Sequence, residues 1–225
     1  MLFSPINPNK KVRGKTEAKE NLALLIKKGK VLDIDTAKKI RGNWRKLFKN
    51  DQPIVLELGM GSGLFMKNLV LRDQKNCIKK NYIGLEIKGD RLWKSFRKLE
   101  ELKKNCNIEL VNMNVEKINQ VFTKNEIDEI YIVYPDPWPK ARHEKKRMTG
   151  LKFMEIYEKI LKPGGQLFFK SDNKQLFEFT KEQFKSKKWK KFEESNDLMK
   201  SKYDLKEVET DYEKVFKLRN KNFII

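Results

Sequence analysis

Residues 54–63 read Ile-Val-Leu-Glu-Leu-Gly-Met-Gly-Ser-Gly, a short apolar run that enters a glycine-rich turn. Such a run is typical of a strand that is buried on both faces. Apolar residues at helical spacing follow over 64–71. Glycines between a strand and a helix permit a tight bend and let a ligand approach the backbone closely. This stretch therefore predicts a strand, a ligand-binding turn and a helix, the first unit of an α/β fold.

The alternation of strands and helices continues beyond the turn. Apolar runs predict strands at 82–87, 108–111, 127–134 and 166–170, and apolar periodicity predicts helices at 92–102, 151–161 and 176–184. Two short helices are expected before the first strand, and residues 187–192 and 212–225 are expected to supply a terminal strand pair. Strands separated by helices form a parallel sheet with helices on both faces.

Two carboxylates indicate which ligand the turn binds. Glu57 precedes the first glycine, and Glu86 ends the second strand, 23 residues beyond Gly63. A carboxylate about 20 residues beyond such a turn can accept from both hydroxyls of a ribose. The spacing Gly59-x-Gly61-x-Gly63 differs from the pattern of dinucleotide sites. Because a carboxylate at 57 repels a pyrophosphate but attracts an ammonium or sulfonium group, the residues favour S-adenosylmethionine over a nicotinamide cofactor.

The loop after the fourth strand carries the second candidate site. It reads Pro-Asp-Pro-Trp-Pro-Lys-Ala-Arg-His-Glu-Lys-Lys-Arg over 135–147. Ligands in open parallel sheets lie beyond the carboxyl ends of the strands, and the prolines stiffen the loop around Asp136. Residues 140–147 hold five Lys and Arg side chains, which predict contact with phosphate. Asn114, which ends the third strand, is interpreted either as a ligand for an adenine edge or as a turn residue.

The composition limits the class of protein. The 225 residues include 51 Lys plus Arg and 31 Asp plus Glu, a formal net charge of +20. This surplus predicts a polyanionic partner, either nucleic acid or an anionic membrane surface. A hydrophobic content of 39% argues against disorder. No apolar run approaches the ~20 residues of a membrane span, and no secretory signal is expected. Two cysteines and one histidine predict reduced thiols in a cytoplasmic protein and no metal site.

With these segments the chain resembles the bacterial tRNA (guanine-N7)-methyltransferases, class I enzymes that use S-adenosylmethionine. The resemblance covers residues 17–225 and rests on segments 57–63, 84–86, 135–147, 171–173 and 210–213. It implies a Rossmann-like α/β fold with a mostly parallel seven-stranded sheet, helices on both faces and an antiparallel C-terminal strand pair. A basic arm over 1–16 would precede a single methyltransferase domain over 17–225, with N-terminal helices over 17–50 and the Rossmann-like core over 51–225.

The resemblance also implies a role for each matching residue. The cofactor site would comprise Glu57, Gly59, Gly61, Gly63, Glu86, Asn114 and Asp136. The target nucleotide would be bound by Lys140, Asp172, Thr210, Asp211, Tyr212 and Glu213. RNA contacts would come from Arg142, His143, Glu144, Lys145, Lys146 and Arg147. The implied partner is tRNA, with no membrane, no obligatory protein partner and a monomer or homodimer as the functional unit. Three departures stand out: Asn114 where aspartate is common, Ala141 in place of lysine, and no glycine over 217–222.

A mechanism follows from the chemistry of the target atom. N7 of guanine carries a lone pair and no proton, so methyl transfer is an in-line displacement that needs no base at that atom. Catalysis then depends on positioning and electrostatics. Asp136 is expected to be catalytic by accepting hydrogen bonds from guanine N1–H and N2–H₂, a role that Asp172 could share. An exocyclic-amine methyltransferase and an RNA-binding module with a vestigial cofactor site remain alternatives, and a nicotinamide oxidoreductase is the weakest.

Overall fold

One sheet of six parallel strands runs through the part of the chain that the computed structural model describes, residues 14–186, 189, 194–198, 200–202 and 204–217. The strand order is β1-β4-β3-β2-β5-β6. From β2 the chain moves outwards through β3 to β4 and then returns to β5 on the other side of β2. The carboxyl ends of β2 and β5 therefore flank the point where open sheets bind ligands. The strands are β1 (Leu32–Asp33), β2 (Ile54–Leu58), β3 (Asn81–Glu86), β4 (Ile108–Asn112), β5 (Ile127–Val133) and β6 (Leu161–Lys170).

Helices cover both faces of the sheet, as the strand–helix alternation predicts. Helices α1, α4 and α5 pack on one face, where Leu69 and Phe96 are buried. Helices α2, α3, α6 and α7 pack on the other face, where Trp44 and Tyr157 are buried. The helices are α1 (Gly14–Lys27), α2 (Ile34–Ile40), α3 (Trp44–Phe48), α4 (Leu64–Lys75), α5 (Gly89–Leu99), α6 (Leu151–Ile160), α7 (Lys174–Ser186) and α8 (Asp211–Lys217).

Helix α5 shows how the local sequence fixes this packing. Its apolar residues at 92, 93, 96 and 99 are buried, whereas its basic residues at 91, 94 and 97 are exposed. Burial of each large apolar side chain stabilises the fold by about 1.5–3 kcal/mol. Every residue of β2 is also buried, which confirms the prediction of a strand covered on both faces. These two elements meet at the glycine turn.

Near the ends of the described chain the structure differs in part from the expectations. Helix α1 begins at Gly14, before the expected domain boundary at residue 17, and that boundary stays a prediction. The short strand β1 was not predicted. The expectation of a strand from residue 212 is wrong as far as Lys217, because these residues belong to helix α8. Residues 187–188, 190–193 and 218–225 lie outside the described residues, so the seventh strand and the antiparallel pair stay predictions.

Candidate active site

The glycine turn connects β2 to α4 and is held from two sides. Gly59, Gly61 and Gly63 all adopt positive φ values, of 70°, 58° and 78°, a region that favours glycine. The Met60 amide donates to the carbonyl of Leu85 in β3, at 2.9 Å. The Ser95 hydroxyl of α5 donates to the carbonyl of Gly61, at 2.7 Å. The turn is therefore fixed to both the neighbouring strand and the neighbouring helix.

The glycines differ in what surrounds them. A Cβ on Gly63 would lie 3.0 Å from both Cα and Cβ of Ser95, so Gly63 is needed for close packing on α5. A Cβ on Gly61 would meet no neighbour nearer than the Gly59 carbonyl oxygen at 4.0 Å. Gly61 therefore presents an open backbone surface of the kind that a ligand can approach.

Glu57 and Glu86 lie buried at the carboxyl ends of β2 and β3, with 3% and 4% exposure. Glu86 is engaged: one of its oxygens accepts from the Gly61 amide at 3.0 Å and the other from the Lys88 amide at 2.8 Å. Glu57 Oε2 has no hydrogen-bond partner among the described residues. Burial, and secondarily the nearby charge of Glu86, raises the pKa of Glu57 well above its ordinary value. A buried carboxylate oxygen without a donor is costly, which fits a cationic or donor ligand at this position.

Asn114 follows β4 and caps the short 3₁₀ helix Val115–Gln120. Its side-chain oxygen accepts from the Glu116 amide at 2.9 Å. The structure thus gives Asn114 the turn role that was one of its two interpretations. Its amide nitrogen makes no hydrogen bond within the described part of the chain, so the adenine contact stays a prediction.

The proline-rich loop follows β5 and is anchored at its first residue. Tyr134 donates its amide to the Lys170 carbonyl at 2.9 Å. Tyr134 and Trp138 have positive φ values of 47° and 43°, which are unfavourable for residues with a side chain. Asp136 lies between them, is exposed, and makes no hydrogen bond to the described residues. Its carboxylate is therefore available to a ligand.

The basic run forms the 3₁₀ helix Ala141–Lys146 and surrounds Trp138. The ring of His143 meets the Trp138 ring edge-on at 5.4 Å, and the Lys146 ammonium lies 4.7 Å from its centre. Arg147 differs from its neighbours, because it is buried, with 5% exposure. The expected contact of Arg147 with RNA stays a prediction, and its burial does not favour it. The exposed residues among those predicted to bind RNA are Arg142, Glu144, Lys145 and Lys146. Lys140, which was predicted to bind the target nucleotide, is also exposed.

Residues 210–213 form a capping box at the start of α8. The Thr210 hydroxyl accepts from the Glu213 amide at 2.9 Å, and the Glu213 carboxylate accepts from the Thr210 amide at 2.8 Å. Glu213 also pairs with the buried ammonium of Lys170 at 2.8 Å. Thr210 and Glu213 therefore bind each other, and Glu213 also binds Lys170, which explains the Thr-x-x-Glu pattern without a nucleotide.

Asp211 and Tyr212, which lie between the two capping residues, reach the candidate site. Tyr212 donates its hydroxyl to Asp172 at 2.6 Å, and its ring lies 5.0 Å from that of Tyr134. Asp211 pairs with Lys98 at 2.8 Å and contacts the hydroxyl of Ser62 in the glycine turn. The structure thus brings Asp172, Asp211 and Tyr212 to the same edge of the sheet as the turn.

Sequence reasoning missed the residues that join these segments. Ser95 and Lys98 of α5 bind the glycine turn and Asp211. Lys170 is almost fully buried, with 1% exposure, and its ammonium also donates to the carbonyls of Leu205 and Val208. No local pattern marks a lysine for burial, but the Thr-x-x-Glu capping box was visible in the sequence.

The arginines of the described residues differ in whether the guanidinium group has a partner. Arg41 donates to the Phe122 carbonyl, and Arg45 and Arg72 pair with aspartates. In contrast, Arg91, Arg97 and Arg142 are exposed, and their guanidinium groups have no partner among the described residues. Two of these three lie on α5, which contacts the glycine turn, and the third lies in the basic run. Over the described ranges there is no cluster of His, Cys, Asp and Glu that fits a metal ion, and no helix long and apolar enough to cross a membrane.

Comparisons with known proteins give one consistent result. Residues 51–224 match the family described as "Putative methyltransferase". A tRNA (guanine-N(7)-)-methyltransferase of Alkaliphilus oremlandii is 41% identical over 173 residues, which cover 77% of this chain and 79% of that protein. The protein of the same name from Clostridium botulinum strain Loch Maree is 41% identical over 188 residues, covering 81% and 84%. The one from Mycoplasma mycoides is 40% identical over 185 residues, covering 79% and 82%.

The solved structure of an antibiotic-related methyltransferase shares the fold. It is 19% identical and has a TM-score of 0.54, with 86% of this chain and 90% of that chain covered. Together with the parallel sheet, this similarity confirms the expected class I methyltransferase fold.

Proposed function

This chain belongs to the tRNA (guanine-N7)-methyltransferase family, and we propose that it transfers the methyl group of S-adenosylmethionine to N7 of a guanosine in the variable loop of tRNA. Two features of the glycine turn carry the proposal. The buried Oε2 of Glu57 has no hydrogen-bond partner among the described residues, and the backbone of Gly61 is open to a ligand. That it acts in the cytoplasm, as a monomer or homodimer and without an obligatory protein partner, stays a prediction.

The residues present fit S-adenosylmethionine, which supplies the methyl group when bound. Glu57 would accept from the ammonium of the methionine portion, because this satisfies an oxygen that otherwise has no donor. Glu86 would accept from the ribose hydroxyls. Each of its oxygens already accepts one backbone N–H and retains a further lone pair. The amide nitrogen of Asn114 would donate to the adenine ring.

Asp136 and Asp172 differ in their suitability for guanine. The Tyr212 hydroxyl already occupies one oxygen of Asp172. Asp136 has no hydrogen bond to the described residues and is exposed beside the end of β5. The contrast supports Asp136 as the acceptor for guanine N1–H and N2–H₂, with Asp172 and Tyr212 as a second contact to the nucleotide. A carboxylate there selects guanine over adenine and stabilises the positive charge that develops on the methylated ring.

The RNA backbone would be bound by exposed basic residues. Lys140, Arg142, Lys145 and Lys146 lie in or next to the 3₁₀ helix that follows the Asp136 loop. Phosphate contacts position a nucleic acid without reading its sequence. The target guanosine would leave the tRNA core, since its N7 has to reach the methyl group that the cofactor supplies.

The test is incubation with labelled S-adenosylmethionine and unmodified tRNA, followed by nucleoside analysis. We expect N7-methylguanosine as the labelled product. N6-methyladenosine or N4-methylcytidine instead would show an exocyclic-amine methyltransferase, and tight tRNA binding without label would favour an RNA-binding module. Asp136→Asn should reduce kcat by at least 100-fold, because the amide presents a donor to the guanine edge. Asp172→Asn is the matched control and should have the smaller effect.

A further inference from the structure

Arg147 is the one member of the basic run that points into the protein. Its Nε and Nη2 both donate to the main-chain carbonyl of Trp138, each at 3.3 Å. The guanidinium carbon lies 4.4 Å from the centre of the Phe179 ring of α7. Arg147 therefore connects the proline-rich loop to a helix on the face of the sheet.

The loop needs such a connection because its backbone is strained. A residue with a side chain in the left-handed region costs about 1–2 kcal/mol, so Trp138 keeps its φ of 43° only if other contacts hold it. The other strained residue, Tyr134, is held by the Lys170 carbonyl at 2.9 Å. Asp136 lies midway between these two anchored residues. The carboxylate of Asp136 thus lies between two fixed residues: the Lys170 carbonyl holds Tyr134 on one side, and Arg147 holds Trp138 on the other.

We propose that Arg147 is a positioning residue that fixes Asp136 through the carbonyl of Trp138, and that it does not contact tRNA phosphate. The inference rests on the proposed function of the Asp136 loop. An error of 1 Å in the placement of a reacting group can lower the rate about 100-fold. Loss of the Arg147 contacts should therefore act on kcat and leave the electrostatic attraction for tRNA unchanged.

The decisive variants are Arg147→Met and Arg147→Lys, with Arg142→Met as the matched control. Arg147→Met removes the charge, and we expect the dependence of log Kd for tRNA on log salt to keep its slope while kcat falls 10- to 100-fold. Arg142→Met removes an exposed charge of the same run, so we expect the slope to fall by about one, a change that Arg147→Met should not reproduce. Thermal unfolding confirms that each variant is folded at the assay temperature.

Arg147→Lys separates the two roles even if the methionine variant does not fold. A lysine keeps the charge for a phosphate but cannot donate twice to the Trp138 carbonyl while stacking on Phe179. Positioning predicts a loss of kcat similar to that of Arg147→Met, whereas phosphate contact predicts nearly normal kcat. A fall of the salt slope by one in Arg147→Met, or normal kcat in a folded Arg147 variant, would overturn the proposal. A wild-type protein without N7-methylguanosine formation would instead refute the proposed function.

Discussion

Replacing Gly61 by alanine should separate cofactor binding from folding. Gly61 has a φ of 58°, and an added Cβ meets nothing nearer than 4.0 Å. The cost to the fold is therefore the left-handed backbone alone, about 1 kcal/mol. Gly29 offers a matched control, with a φ of 63° and nothing within 4 Å of its Cβ. Gly29 precedes β1 and so lies towards the amino ends of the parallel strands, whereas the glycine turn lies at their carboxyl ends.

The two variants should lose similar free energies of unfolding, about 1 kcal/mol each, in urea denaturation. Their affinities for S-adenosylmethionine should differ, because only the Gly61 methyl group occupies the open surface of the turn. Calorimetry should show at least a 10-fold weaker Kd for Gly61→Ala and a wild-type Kd for Gly29→Ala.

Gly63→Ala extends the series to a position where packing adds to the backbone cost. Its Cβ would lie 3.0 Å from the Ser95 Cα, so α5 must move. Overpacking costs about 1–3 kcal/mol more, and the total loss of stability should be about 2–4 kcal/mol. Equal cofactor affinity of the Gly61 and Gly29 variants would refute the assignment of the turn, and a much larger stability loss in Gly61→Ala would refute the account of its surroundings.

Three further predictions concern buried charges and a helix cap. Because the pKa of Glu57 is raised, the folded protein holds a proton that the unfolded chain releases, so wild-type stability should fall as pH rises above about 4.5. In measurements of Tm against pH, Glu57→Gln should lack this fall. The same variant should bind S-adenosylmethionine more weakly. Lys170→Met leaves Glu213 buried without its cation and should cost about 3–5 kcal/mol in urea unfolding, less when Glu213→Gln is added. Asp33 caps α2, and the hydrogen bond that its side chain accepts from Thr36 lowers its pKa. Asp33→Ala should lower the free energy of unfolding by about 1 kcal/mol at neutral pH, and this difference should disappear as pH falls through the Asp33 pKa.

Local sequence patterns predicted the elements that local interactions determine. The glycine turn was recognisable because its backbone angles, its strand and its helix are all encoded within about ten residues. Strand β1 was missed because two residues that pair with β4 carry no period of their own. The strand expected from residue 212 is helix α8 as far as Lys217, and the Thr-x-x-Glu capping box at 210–213 is a local sequence signal for that helix.

The roles of Arg147 and Lys170 required the tertiary structure. In the sequence Arg147 is one of five basic residues in a run, and only the carbonyl of Trp138 and the ring of Phe179 distinguish it from Lys146. Lys170 is the last residue of β6, and nothing in its local sequence distinguishes it from an exposed lysine. Its partner Glu213 lies far along the chain. Burial of a charged side chain depends on the partner that compensates it, and no pattern within one segment records that partner.

The two halves of the site are stabilised by different kinds of contact. The glycine turn is fixed by hydrogen bonds to Leu85 and Glu86 of β3 and to Ser95 of α5, and all three residues are buried. The nucleotide half includes α8, which contacts the turn through Asp211 and Ser62 and contacts Asp172 through Tyr212. A segment held by exposed side-chain contacts opens at a lower free energy than a buried core strand. The exposed contacts of Asp211 and Tyr212 can therefore open and re-form around a splayed guanosine, whereas the buried Glu213–Lys170 pair keeps the start of α8 in place.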